Sequence, residues 1–179
     1  MKKLLLILLF LPLLFSCGDK GLAIGDTHQG GIIFYLDGNG GGLITAPSDQ
    51  SNSVEWGCKG TSISGATGLH NQKKTRAIGT GAQNTIDIEA GCPSAVTAAG
   101  ICADLTLGGY SDWFLPSVDE LQLMHYYLHQ QLVGEFTDTF YLSSTESDSF
   151  YAKGVSFNWG VQASYHKSGL AYVRAVRAF

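Results

Sequence analysis

The sequence predicts an α+β domain built mainly on antiparallel sheet, with two or three helices and long glycine-rich loops. Three observations lead there. Apolar residues make up 45% of the 179 and charged residues only 15%, so the chain has a core to bury and does not fit disorder. There are 23 glycines against 4 prolines with no collagen-like period, which suits a globule with many tight turns. Apolar, β-branched and aromatic runs bounded by turn residues stand at both ends of the globular part, and helix-spaced runs fill its middle. This length carries one domain, or one plus a short accessory segment, and no internal repeat or linker divides residues 25–179. Lys plus Arg total 11 against 15 Asp plus Glu, a formal charge of −4, so no overall positive field draws nucleic acid and none is expected as a partner.

Residues 1–16 read as an address rather than as fold. Lys2 and Lys3 precede an apolar run from Leu4 to Phe15, which as a helix spans only about 18 Å of a hydrocarbon core about 30 Å thick. That is a signal peptide, too short for a stable span. Leu14-Phe15-Ser16-Cys17 resembles a bacterial lipobox, which implies lipidation of Cys17 after cleavage and makes residues 17–24 a lipidated tether. Asp19 stands second after the cysteine, not first, which by resemblance to proteobacterial sorting rules does not hold a protein at the inner membrane. The expected location is the bacterial cell envelope, lipid-anchored at the outer membrane, and the membrane is the first expected partner.

From Gly25 onward the elements follow in order. Gly31 to Leu36 and Gly42 to Ala46 are apolar runs around Asp37-Gly38-Asn39-Gly40, a β-hairpin. Ser53 to Cys58 is a short strand candidate, followed by a long polar, glycine-rich loop from Lys59 to Gly81. Asn84 to Ala90 and Ser94 to Leu105 read as helices broken at Gly91-Cys92-Pro93. After Gly108-Gly109 comes an extended piece, Trp113 to Leu115, which Pro116 stops. Ser117 with Glu120 three residues on forms a capping box, Asp119 supports the positive helix start, and Gly134 ends the helix. Val118, Leu121, Leu128 and Leu132 supply its apolar stripe. From Phe140 to Phe179 strands return, with turns at Asn158-Trp159-Gly160 and His166 to Gly169.

Chemistry-bearing residues are sparse. Export puts Cys58, Cys92 and Cys102 in an oxidising compartment, where three thiols allow one internal disulfide. Cys102 sits in an Ala-rich helical stretch and suits a buried thiol, so Cys58 with Cys92 is favoured, with Cys92–Cys102 the alternative. Asp37 to Gly40 resembles the start of a calcium loop, but the position for the bidentate Glu is Ser48, and the hairpin turn accounts for the same residues. His125 and His129 share a helix face at zinc-ligand spacing, yet no third ligand is evident nearby, so they read as polar or packing histidines. Neither a phosphate-cradling loop nor a Gly-x-Ser-x-Gly elbow is present. No metal or cofactor is expected.

Two groups bear on binding. His70, Lys73, Lys74 and Arg76 make a local cationic cluster that could meet sulfated or carboxylated glycans, though such runs are more often solvated loops. Tyr151, Trp159, Tyr165 and Tyr172, with His166 beside them, lie in or near the late strands, and exposed aromatics stack on sugar faces. Trp159, between Asn158 and Gly160, is the expected tip residue.

Gly109-Tyr-Ser-Asp-Trp-Phe-Leu-Pro-Ser117, with Asp119-Glu120-Leu121, then Leu142-Ser-Ser-Thr-Glu146, Gly154-Val-Ser-Phe157 and Val173-Arg-Ala-Val-Arg-Ala-Phe179, resemble in their order the Lcl C-terminal domain family. They are similar as well to the Fibrobacter succinogenes major paralogous domain. The resemblance implies a C-type-lectin-like α+β fold on bacterial secreted or surface proteins, some at the ends of adhesins. Phe114 stands where the family usually has Arg, and Leu142 where it usually has Trp. The motif residues Asp112, Trp113, Pro116, Ser117, Glu120, Arg174 and Arg177 read physically as architecture, a strand, a corner and a cap. Arg174 and Arg177 are an odd number apart, so on a strand they face opposite ways, and at least one is expected to pair with a carboxylate such as Asp112 or Glu146.

The function these readings imply is a non-catalytic cell-envelope lipoprotein that binds or adheres through a loop-borne surface around Trp159 and Tyr165, to glycan or envelope protein. Two alternatives stand beside it. An enzyme related to formylglycine-generating or sulfatase-modifying proteins needs reactive cysteines late in the domain, and none follows Cys102. A purely structural envelope scaffold needs no soluble ligand.

Overall fold

The computed structural model describes residues 21–67, 73–93 and 96–179. The signal segment, Cys17 and His70 lie outside the described residues. Two sheets organise the chain. The first is four-stranded, in the order β1 (Thr27–His28), β2 (Gly31–Leu36), β3 (Gly42–Thr45) and, from the other end of the chain, β9 (Val176–Ala178). The second has the order β4 (Ser51–Val54), β8 (Ala171–Val173), β5 (Phe140–Glu146), β6 (Tyr151–Ser156) and β7 (Val161–His166). Pairings among these strands are antiparallel except β5 with β8, where Tyr141 lies opposite Tyr172 in parallel register. The helices are α1 (Gly81–Gly91), α2 (Ala98–Ala103) and α3 (Val118–Tyr127), with short 3₁₀ turns at Lys73–Thr75 and His129–Gln131. Among the described residues no helix is long and apolar enough to cross a membrane. The α+β class and the mainly antiparallel pairing are those expected.

Why the runs of the first sheet lack polar alternation is explained by its two buried faces. Ile33 and Ile44 enter one core with Trp56, Ile88, Cys102 and Leu142, while their neighbours Phe34 and Leu43 enter a second with Leu121, Met124, Tyr141 and Phe157. Trp113 and Leu115 belong to the first core and Phe114 between them to the second. Phe114 exchanges both backbone hydrogen bonds with Val176, at 2.8 and 2.9 Å, which brings the corner motif onto the C-terminal strand. Each such fully buried apolar side chain contributes about 1.5–3 kcal/mol.

Several boundaries differ from expectation. The strand proposed at Ser53–Cys58 is β4 and ends at Val54, because Gly57 and Cys58 both take left-handed backbone (φ 98° and 50°) that no strand accommodates. The helix expected to start at Ser94 is the shorter α2, opened by Thr97, whose side chain accepts from the Gly100 N–H at 2.9 Å. The helix begun at Ser117 ends at Tyr127 and not near Gly134: Leu128 caps it, and a 3₁₀ turn then closes on Leu132 at φ 58°. Leu132 is therefore 93% exposed and is no part of the apolar stripe, which consists of Val118, Leu121, Met124 and Leu128.

Polar contacts fix the corner. Ser117 and Glu120 form the reciprocal capping box, and the second Glu120 oxygen accepts from the Gly79 N–H at 2.7 Å, joining the entry of α1 to that of α3. Burial pushes the Glu120 carboxyl up, against the backbone N–H groups that favour its charge. Pro116 accepts from the Ser144 N–H at 2.7 Å through its carbonyl. Cys58 and Cys92 form the disulfide, with Cα atoms 5.8 Å apart, tying the loop after β4 to the end of α1. Cys102 is buried and unpaired, and burial alone raises its thiol so that it stays protonated.

Candidate functional site

A cleft of about 500 Å³ opens where the end of α3, the segment 130–138 and the β6–β7 turn meet. Its floor is aromatic. His125, His129, Phe136 and Phe157 pack with ring centroids 5.2–6.4 Å apart. Helical spacing brings the two histidines to one face, and the chain then gives the Nε2 of each ring a partner. His125 Nε2 lies 3.1 Å from the Phe157 carbonyl, and His129 Nε2 lies 3.0 Å from the Asp138 carboxylate. Burial first, then the neighbouring His129, hold the His125 pKa below its ordinary value, so it is neutral at pH 7. No cluster of three metal-ligating side chains occurs among the described residues.

The β6–β7 turn reaches this floor because of one glycine. Gly160 sits at φ 66°, and a Cβ there would come within 2.5 Å of the His125 ring. Its neighbour Trp159 stands at the lip, 76% exposed. The opposite wall carries two non-glycine residues in left-handed backbone, Leu132 at φ 58° and Glu135 at φ 51°. Such residues cost about 1–3 kcal/mol each and persist only where surroundings hold them. Here the holder is Arg174, whose guanidinium donates to the Gly134 carbonyl at 2.8 Å and lies over the Phe136 ring at 4.2 Å.

The other residues singled out from the sequence are dispersed. Trp159 lies just before β7 and Tyr165 near its far end, so a six-residue strand of roughly 20 Å separates them. They form no common patch. Tyr165 stacks on Phe140 at 4.6 Å and its hydroxyl donates to the Leu170 carbonyl at 3.1 Å, so it serves packing. Tyr151 is 43% exposed at that far end, edge-on to His166, whose Nδ1 lies 2.8 Å from the Ser168 hydroxyl. Tyr172 packs against Tyr141. Of the cationic cluster, Lys73 begins a 3₁₀ turn and Lys74 is exposed in it. Arg76 donates to Gln162 at 2.6 Å, at the α3 entry. That is the opposite end of the helix from the cleft.

Asp37 closes the first hairpin as a turn residue, accepting from the Asn39 and Gly41 N–H groups at 2.7 and 3.0 Å. Arg177 pairs with Asp112, also donates to Gln29 and covers the Tyr110 ring at 3.7 Å. Arg174 pairs with Asp49 at 2.6 Å, a partner with no sequence signal. Glu146 pairs instead with Lys167, and both side chains are wholly buried. Lys167 stands in a turn where a solvated lysine is the usual expectation, so its burial was not legible from the pattern. The cleft itself was missed for a similar reason. The i,i+4 histidines and the turn tryptophan are each visible, but Glu135 and Phe136 are placed beside them by the Arg174 clamp and Asp138 by its bond to His129, contacts no local pattern encodes.

No curated protein matches the chain. The Lcl C-terminal domain matches residues 47–177, from the segment leading into β4 through to β9, and so takes in the corner motif, both arginines and the whole cleft. Over that extent the match shows descent and not a shared local motif: the chain belongs to the Lcl C-terminal domain family.

Proposed function

We propose that this protein is a non-catalytic, envelope-associated binding module whose recognition site is the cleft under Trp159, and that its ligand is a glycan. Its family points to an envelope-associated module. The single observation that carries the reading is the Trp159 indole, 76% exposed at the lip of a cleft with an aromatic floor. An exposed large aromatic held on a glycine-fixed turn offers a stacking face to a sugar ring with little entropy to lose on binding. The strained Leu132 and Glu135 backbone on the opposite wall supports a preformed site.

In the same reading the fold is a C-type-lectin-like scaffold, Cys17 carries the lipid anchor, and the tether holds the domain at the outer membrane in an adhesive role. The buried, protonated Cys102 offers no nucleophile for a formylglycine-type reaction. A glycan array probed with the full chain tests the proposal. Binding to a defined set of glycans, lost in Trp159→Ala while the thermal melt stays unchanged, is the expected result. No glycan signal from the folded protein sends it to the scaffold class.

A further inference from the structure

We propose that the cleft selects sugars bearing a free amine, glucosamine-type residues whose ammonium group sits between the aromatic wall and the two rim carboxylates. This rests on the reading of the cleft as a glycan site and goes further by naming the charge its ligand carries.

The charge of the lining decides the matter. No lysine or arginine lines the cleft, while Glu135 and Asp138 both do. The Asp138 side chain is 73% exposed and spends one oxygen on His129 at 3.0 Å. Its other oxygen and the whole Glu135 carboxylate have no protein partner among the described residues, so both remain able to accept from a ligand. The end of α3 adds the negative pole of the helix on the same side. Trp159, 76% exposed, offers an open ring face, which attracts a cation most strongly where water is thinned.

The remaining local charges are segregated. Lys74 and Arg76 do not line the cleft: the Arg76 carbonyl meets the α3 entry at Asp119, and its guanidinium is engaged by Gln162 on β7. A sulfated or uronic sugar in the cleft would face two carboxylates with no lysine or arginine among the lining residues, and a neutral sugar would gain stacking alone. An amino sugar gains the stacking and the pairing together.

Calorimetric titration of the full chain at low salt, below the pKa of the sugar amine, tests this with four probes: tetramers of glucosamine, N-acetylglucosamine and galacturonic acid, and tetralysine. The expected result is glucosamine binding about tenfold or more tighter than the N-acetylated tetramer, with the uronate weakest. In the Glu135→Gln/Asp138→Asn double variant the ratio of glucosamine to N-acetylglucosamine affinity falls to about one, and in Trp159→Ala both sugars are lost. Equal or tighter binding of the N-acetylated or uronate tetramer overturns the amine selectivity and leaves the glycan reading standing. Tetralysine binding tighter than glucosamine overturns it in favour of a basic peptide. No binding by any sugar from a protein with an unchanged melt sinks both.

Discussion

Arg177 and Arg174 show how single side chains in this molecule do architectural work through several partners at once. Arg177 bonds Asp112 and Gln29 and lies on Tyr110, linking the N-terminal hairpin, the corner motif and the last strand. Arg174 does the same for Asp49, the Ala46 carbonyl and the cleft wall. A bidentate-capable, planar cation suits both tasks, and lysine would not replace either. The hydrogen bond from Arg177 holds the Asp112 carboxyl below its usual pKa. A lowered folded pKa means that the contribution is present above the unfolded value, near 3.9, and is lost as pH falls through the folded one. Asp112→Asn is therefore expected to flatten the acid limb of the stability profile below about pH 4, with a small effect at neutral pH because this carboxylate is largely exposed. Denaturant melts across pH check it, and an unchanged acid limb would contradict it.

The elements that were legible from sequence are those whose signals are local. The capping box names the α3 start to the residue, Pro116 stops the extended piece before it, and the Asp-Gly-Asn-Gly run makes the first hairpin. What was not legible depends on contacts far apart in the chain. The 61–67 loop is held by Glu146, which accepts from the Ile63 N–H at 3.0 Å and from Thr67, while Lys167 donates to the Thr61 carbonyl at 2.8 Å. A turn lysine and a strand-end glutamate gave no hint of that pairing. Lys167→Met leaves Glu146 buried without its cation and is expected to cost about 3–5 kcal/mol. Adding Glu146→Gln should recover part of the loss in a double-mutant cycle; no recovery would mean the two do not act as a pair. The β6–β7 turn invites a second test. Gly160→Ala strains the backbone and drives a methyl into His125, so about 2 kcal/mol or more of stability should go, together with cleft affinity. A variant as stable as the parent would show that the turn does not rest on His125.

For the whole molecule, two packed cores meet at the corner motif, and the first and last strands of the domain lie in one sheet, so most of the chain is committed to scaffold. The cleft under the β6–β7 turn stands outside that commitment. Sequence reading found Trp159 as a tip but paired it with Tyr165 along the same strand, whereas the fold sends the two to opposite ends and gives Trp159 the histidines and rim carboxylates as neighbours. That assembly is tertiary, and no spacing rule encodes it. It has a convenient reporter. Trp56 is fully buried and Trp113 is 2% exposed, so the solvent-accessible indole emission belongs to Trp159. Acrylamide quenching of that emission, followed while a glucosamine tetramer is titrated in, tests the central claim most directly. The account predicts saturable protection of the accessible indole, whereas quenching that stays unchanged at every sugar concentration in the folded protein would contradict it.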